Sequence, residues 1–325
     1  MGVKVSVAVC THGRPVQLAR ALASLQAQRP AAAEILVVDN APRDDATRAL
    51  VADRFPTVRY VHEPVQGLDF ARNRALTSAR GDVVAFLDDD AVAAEGWLGA
   101  LAAAFDADPT VVVCTGRVEA LGRATEGELV FEANGGFSRG PDRIRLPADA
   151  ARPLHGRPAP LIAWAVSVGS GCSYAVRRAT ALALGGFDEA LDLGAALPGG
   201  GDHDLLWRAL QAGHTVVYEP AALARHEHRP AADGVYAQVV GHQRALLAFL
   251  YKHVMYADGP SRGPLAGYLA WRLVKPGVRL ARRAVGRDPL PAPVLARMWW
   301  NCWAGLAAYP RARRLARARR SSHAW

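Results

Sequence analysis

The stretch Val83-Val84-Ala85-Phe86-Leu87-Asp88-Asp89-Asp90 constrains this chain more than any other. Five consecutive apolar residues suit a strand covered on both faces, as in a parallel sheet, and three carboxylates follow where that strand must leave the sheet. An unpaired carboxylate is costly to bury, so three together require open solvent, a ring of donors or a cation. A divalent metal meets that need and also supplies chemistry. Taken alone, the triplet is equally compatible with a solvated turn.

The flanking sequence repeats one unit. Lys4 to Cys10 reads as a first strand, and Thr11-His12-Gly13-Arg14-Pro15 turns into a helix with Pro15 near its start and Leu18, Leu22 and Leu25 on one face. Glu34 to Val38 is a second strand ending on Asp39-Asn40, and Asp44 to Arg54 a second helix. Val58 to Val61 is a third strand, Asp69 the expected cap of a helix through Ala79, and Asp82 to Leu87 the fourth strand. This alternation predicts an α/β fold with a doubly wound, Rossmann-like, mostly parallel sheet. In such sheets the carboxyl ends of the strands form the ligand crevice, so Thr11, Asp39 and Asp88 to Asp90 can converge there.

Further on, Trp97 to Phe105 reads as a helix and Val111 to Thr115 as a β-branched strand. Glu119 to Pro160 has little periodicity and is expected to form loops with an edge hairpin. Val166 to Val176 is strand-like around Gly169-Ser170-Gly171, and Arg177 to Leu184 is helical up to Gly185-Gly186. Gly199-Gly200-Gly201 precedes the second acidic cluster, Asp202-His203-Asp204, and an apolar helix from Leu205 to Ala212. Glycines there open backbone shapes closed to other residues. Thr215 to Glu219 is a strand, His226 and His228 follow it, and helices take over beyond Pro230. The 325 residues thus divide into a first domain over 1–230, with halves of about 1–116 and 117–230, and a helical region over 231–325.

The net charge of +9 is unevenly placed: residues 231–325 carry 16 Lys+Arg against 3 Asp+Glu, leaving 23 against 27 for residues 1–230. No helix-turn-helix, zinc or aromatic RNA-binding signature accompanies the basic region, so nucleic acid is not an expected partner. Aromatics such as Trp299, Trp300 and Trp303 followed by the arginines of 311–320 suit an anionic membrane surface, and equally suit packed helices with a solvated tail. Cys10, Cys114, Cys172 and Cys302 form no CxxC pair, which argues against a zinc site or disulfide framework and for a reducing cytoplasm. The N-terminal apolar run is too short for a signal peptide, and prolines and glycines make Pro158 to Val176 a poor membrane helix. Cys172 lacks the elbow of a nucleophile, and Gly169-x-Gly171 lacks the third glycine of a dinucleotide fingerprint.

One ordered set of motifs carries a resemblance. Val7-Ala8-Val9-Cys10-Thr11-His12-Gly13-Arg14-Pro15, Val37-Val38-Asp39-Asn40, Gly67-Leu68-Asp69-Phe70-Ala71-Arg72-Asn73, Phe86-Leu87-Asp88-Asp89-Asp90, Gly185-Gly186-Phe187-Asp188 and Gly201-Asp202-His203-Asp204-Leu205 resemble glycosyltransferase family 2, over about residues 3–229 and in the family's own order. The resemblance implies a GT-A fold and an enzyme that moves a sugar, mostly with inversion, from a nucleoside-diphosphate sugar to a glycan, lipid-linked or natural-product acceptor. It makes Asp90 and Asp88 ligands of Mg²⁺ or Mn²⁺ with His226 nearby, His228 being its rival. It places Thr11, Arg14, Asp39, Arg72, Asp88 and Asp89 around the nucleotide sugar, and Trp164, Gly171, Asp188 and Asp204 on the acceptor side. Asp202 becomes the general base. The family more often has Glu-Asp where this chain has Gly201-Asp202-His203-Asp204, which leaves Asp204 as a competing base. Singly, Asp39 could merely cap a helix, Arg72 merely pair with Asp69, and Asp202 merely cap its own helix. A metal-dependent nucleotidyl- or phosphotransferase, or a non-catalytic sugar-nucleotide-binding protein, would carry the same strand-end carboxylates.

Overall fold

The computed structural model describes residues 2–122, 125–137, 139–256 and 262–322. Strands β1 (Val5–Thr11), β2 (Glu34–Asn40), β3 (Arg59–Glu63) and β4 (Val83–Leu87) run parallel in the order β3-β2-β1-β4. Helices α1 (Pro15–Gln26), α2 (Ala46–Arg54) and α3 (Leu68–Ser78) connect them. The alternation of β4 explains its uninterrupted apolar run. Val83, Ala85 and Leu87 pack in one layer with Leu18, Leu22 and Leu25 of α1, while Val84 and Phe86 pack in the other with Ala71, Ala75 and Leu76 of α3. With both faces covered, each large side chain contributes roughly 1.5–3 kcal/mol of apolar burial, so no position could be polar without loss.

Beyond β4 the sheet turns mixed. β8 (Ser173–Arg177) is antiparallel to β4, β6 (Val111–Ala120) antiparallel to β8, and β9 (Thr215–His226) parallel to β6. The short β5 (Ala91–Ala93) and β7 (Ile144–Leu146) pair antiparallel with β9, which completes a nine-stranded sheet. Helix α4 (Trp97–Ala107) packs beneath it.

Five expectations need correction. Residues 166–168 are helical, in α6 (Leu161–Val168), and the strand begins only at Ser173. Short apolar runs fit a buried helix and a buried strand alike, and here Ile162, Trp164, Ala165 and Val168 are all enclosed. Asp69 does not cap α3; Gly67 does, and Asp69 lies inside the first turn, fully buried. The stretch 119–160 holds α5 (Glu126–Ala133), whose N-cap Thr125 accepts the Glu128 N–H, and β7 joins β9 instead of forming a hairpin; residues 123, 124 and 138 of that stretch lie outside those described. β9 does not stop at Glu219 but resumes at Leu223 after an irregularity and runs on to His226. Helix α8 (Gly201–Gln211) starts four residues before the expected Leu205, and this takes Asp202 and Asp204 into its first turn. Helix α7 (Arg178–Ala183) is where the pattern puts it.

Helices α9 (Ala232–Tyr256), α10 (Arg262–Ala284) and α11 (Ala292–Ser321) form the C-terminal region. They are built into the core. Phe249 and Leu250 of α9 join the cluster containing Leu206 and Trp207, and Tyr309, Ala312 and Ala316 of α11 pack with Phe70 and Leu191. Among the described residues no helix is long and apolar enough to cross a membrane.

Candidate functional site

Strand register assembles the first half of the site. Ala91 of β5 faces His226 of β9, so the residue before Ala91 meets that histidine: His226 Nε2 lies 3.1 Å from Asp90 Oδ1. From the loop after β1, Arg14 Nη1 donates to Asp90 Oδ2 at 2.8 Å and to Asp89 Oδ1 at 3.2 Å, and the Thr11 hydroxyl donates to Asp89 Oδ2 at 2.7 Å. Three loops are thereby tied together by charge-assisted hydrogen bonds. Burial works to raise the Asp90 pKa, but His226 and Arg14 outweigh it and hold the carboxyl below its usual range. Burial raises that of Asp89. Asp88 differs from both, because its carboxylate makes no hydrogen bond or ion pair among the described residues. Burial, then the repulsion of Asp90, push it up to about 6.

Two cavities meet at this triplet. One, of about 590 Å³, is lined by Thr11, His12, Arg14, Asn40 and the three aspartates. The other, of about 470 Å³, is lined by Asp88, Gly171, Asp202 and His226 on the sheet side and by α9 and α10 on the other. Leu68, Asp88, Asp192 and Pro198 border both, so Asp88 stands at the junction.

Asp202 reaches the second cavity from the first turn of α8. Gly199 and Gly200 adopt φ of +133° and +107°, which glycine tolerates and other residues resist, and this directs the chain into the helix. Asp202 Oδ1 accepts the His203 N–H at 2.8 Å and contacts His203 Nδ1 at 2.9 Å. Burial opposes ionisation, yet His203 and then Arg72 prevail and keep the carboxyl far below its ordinary pKa. Facing it, Gly171 leaves room that a side chain would close, since a Cβ there would stand 2.5 Å from Arg72 Nη2 and 3.2 Å from Asp202 Oδ2.

Arg72 lines this cavity too, and it does pair with Asp69 (3.0 Å), although in the interior and not on a helix surface; Asp192 is its second partner at 3.3 Å. Asp39 is fully buried and stands on neither cavity wall: its Oδ2 accepts the Tyr60 hydroxyl at 2.9 Å and its Oδ1 has no partner. Three residues expected on the acceptor side lie elsewhere. Asp204 is enclosed, accepting from Arg208 at 2.8 Å, Lys252 at 2.5 Å and His253 at 2.8 Å, because two residues along a helix turns the side chain by about 200° away from Asp202. Asp188 accepts the Tyr309 hydroxyl at 2.7 Å and pairs with Lys252, which binds α9 and α11 to the domain. Trp164 is buried in the core beneath α6. His228, the rival of His226, stacks among Phe131 and Phe137. Asp192 went unforeseen. It borders both cavities, holds Arg72 and accepts the Gly201 N–H at 3.0 Å, but no local pattern marks it.

The donor set suits a hard divalent cation. Asp88, Cys172 and His226 bring ligand atoms within 4.8 Å of one another. Burial, then Asp88 and Asp90, raise the Cys172 pKa well above the ordinary thiol value, so the sulfur stays protonated and leaves carboxylate and imidazole as donors. Oxygen ligands favour Mg²⁺ or Mn²⁺, and a cation at Asp88 would supply the partner that this buried carboxylate lacks.

Known proteins agree with this architecture. The chain is 29% identical over 231 residues to the pre-mycofactocin glycosyltransferase of Mycobacterium tuberculosis, an alignment covering 69% of this chain and 43% of that one. It is 28% identical over 272 residues to the succinoglycan biosynthesis protein ExoM of Rhizobium meliloti, covering 80% and 74%. Among solved structures, the mannosyltransferase PcManGT of Pyrobaculum calidifontis, in complex with GDP-Man and Mn²⁺, superposes with a TM-score of 0.59 at 20% identity over 96% of this chain and 87% of that one. GalNAc-T7 with UDP, GalNAc and Mn²⁺ gives 0.54 at 15% identity over 83% and 55%. These likenesses establish the GT-A fold. The model of glycosyl transferase family 2 matches residues 6–178, more than half of the chain, and the protein belongs to that family.

Proposed function

We propose that this protein is an inverting, metal-assisted glycosyltransferase that moves a sugar from a nucleoside-diphosphate sugar to an acceptor hydroxyl. The observation that carries the reading is the junction at Asp88: an acid-lined cavity on one side, and a second cavity with an ionised Asp202 on the other. The nucleotide would occupy the first cavity, with Thr11 and Arg14 bracing the triplet. Asp88, Asp90 and His226 would hold Mg²⁺ or Mn²⁺, whose charge neutralises the diphosphate as it departs. Mn²⁺ in the two solved neighbours supports that choice.

Asp202 then does the proton work. The acceptor oxygen forms its bond to the anomeric carbon from the face opposite the diphosphate, the carbon–diphosphate bond breaks, and the acceptor proton passes to Asp202. A carboxylate of low pKa is a weak base, so the proton moves only as the acceptor oxygen becomes bonded and acidic. His203, and then Arg72 fixed by Asp69 and Asp192, keep Asp202 ionised.

We also infer membrane contact through α10 and α11. Together these helices contain no Asp or Glu and thirteen Lys+Arg, and they expose Trp271, Val274, Val278, Trp300 and Trp303. Aromatic and apolar groups beside arginines suit the headgroup region of an anionic leaflet, which would place the enzyme at the cytoplasmic face.

Calorimetric titration with nucleoside diphosphates and nucleotide sugars, with and without Mn²⁺, tests the reading. Binding that strengthens at least tenfold with Mn²⁺ supports it; equal binding in EDTA defeats it, and release of pyrophosphate from a nucleotide would instead identify a nucleotidyltransferase.

A further inference from the structure

The α10 wall of the 470 Å³ cavity carries positive charge that the donor chemistry does not use. Arg272 and Lys275 lie three residues apart, hence on one face of α10, and both line the cavity. The other cations lining it are accounted for. Arg72 is held by Asp69 and Asp192, Arg279 grips Asp288 through two bonds of 2.7 and 2.9 Å, and Arg139 donates to backbone carbonyls of Ser167 and Gly136. Among the described residues Arg272 meets only uncharged groups, donating to Gln243 Oε1 at 2.9 Å and to the Tyr268 hydroxyl at 3.4 Å. Lys275 has no hydrogen-bond or ion-pair partner among the described residues. The acids that line the cavity, Asp88, Asp192 and Asp202, all belong to the strand-end side.

We propose that the acceptor carries an oxyanion, a carboxylate or a phosphate monoester, that seats between Arg272 and Lys275 while its hydroxyl reaches Asp202. This rests on the reading of Asp202 as the transfer end of the cavity. A half-buried ammonium without a counter-ion is unfavourable in the free protein, and an entering oxyanion converts that deficit into charge-assisted hydrogen bonds. Burial, then Arg272 and Arg279, lower the Lys275 pKa to about 8, as expected for a cation among cations. A neutral acceptor would leave Lys275 without a counter-ion and Arg272 with uncharged partners only, whereas an acceptor with an anion at one end and a hydroxyl at the other matches the cations of α10 and the carboxylate of Asp202 that line the same cavity. Arg272 offers a planar fork and Lys275 a point charge, so the pair accommodates either oxyanion geometry.

The test is calorimetric titration of the full chain with sodium glucuronate against glucuronamide, and with hexyl phosphate against hexanol. At least one anion should bind ten times more tightly than its neutral counterpart, and the arm with the larger preference identifies carboxylate or phosphate as the recognised group. Lys275→Gln should abolish the preference and Lys275→Arg retain it, with Mn²⁺-dependent binding of a nucleoside diphosphate unchanged in both as the control for folding. No preference for either anion, or a preference that survives Lys275→Gln, overturns the proposal. So does an equal loss of nucleoside-diphosphate binding in Lys275→Gln, because the cations would then serve the donor. Absence of Mn²⁺-dependent nucleotide binding in the unaltered protein would strike the transferase reading alone, since anion preference at Lys275 is measured independently of it.

Discussion

At the strand ends, polar and charged side chains answer one another across loops: Thr11 at the end of the first strand and Arg14 on the loop after it reach Asp89 and Asp90, and His226 reaches Asp90 from the last strand. Across the cavity, α10 presents charge of one sign, and Arg272 and Lys275 find no carboxylate among the described residues. The difference separates two uses of electrostatics. Cross-pairing at the rim fixes geometry in advance and leaves Asp88 as the one carboxylate of the triplet without a partner among the described residues, so that binding there would require little rearrangement. Single-sign charge on the helical wall fixes nothing by itself. It selects what can approach, through repulsion and unmet demand.

Substitutions at the boundary between these regions should break the contrast most severely. Asp202→Asn should lower sugar transfer by about 10²–10⁴-fold at saturating donor, the usual worth of a general base, with Mn²⁺-dependent nucleotide binding intact. Its neighbour Asp204 should behave in the opposite manner, because it joins α8 of the rim to Lys252 and His253 of the helical wall. Removing one partner from a buried charge network costs about 3–5 kcal/mol, so Asp204→Ala should show its effect in urea unfolding. If the two variants exchanged phenotypes, rim and wall would have been wrongly divided.

The wall itself can be probed in three gentler ways. Trp300→Ser with Trp303→Ser should weaken sedimentation with anionic vesicles at least tenfold and leave nucleotide binding alone. Hexyl phosphate or glucuronate binding should be full below pH 8 and fall several-fold as Lys275 loses its proton above it. The groups bearing on that titration are Arg272 and Arg279 on the same helix and Asp288 just beyond it, while Arg139, His203, His242 and Asp202 line the same cavity. Smallest of all, Thr11→Val removes one buried hydrogen bond to Asp89 and should weaken nucleotide binding by about 1 kcal/mol, roughly fivefold. An effect no larger than twofold would mean that Arg14 alone braces the triplet.

What could be read in advance was what local chemistry governs. The alternation of apolar strands and amphipathic helices announced β1 to β4, and the acidic triplet announced a strand-end site, because burial on both faces and the cost of clustered carboxylates act within a few residues. Residues 166–168 misled because a short, mostly apolar run fits a buried helix and a buried strand alike. Asp192 and the α10 cations escaped for another reason. Their importance comes from packing partners tens to hundreds of residues away, and neither Asp192 nor Lys275 sits in a pattern that forecasts such a neighbour. Asp188 and Asp204 belonged to recognisable motifs, yet the helices beyond Ala232 claim both carboxylates as anchors, and the core claims Trp164, which no motif contains.

The packing of α11 against Phe70 and Leu191 bears on the order in which the molecule assembles. Arg319 donates to the Gln66 carbonyl across 253 positions of sequence, and Tyr309, Ala312 and Ala316 cover the segment that leads into α3. The parallel half, with contacts between successive strands, can gather as soon as its units have been synthesised. The loop beside the cavity of about 590 Å³ cannot finish until the last helix arrives, and such distant closures are slow. During synthesis the binding cleft should therefore mature last, long after the sheet beneath it, and a nascent chain lacking α11 should hold a folded sheet with an unfinished mouth.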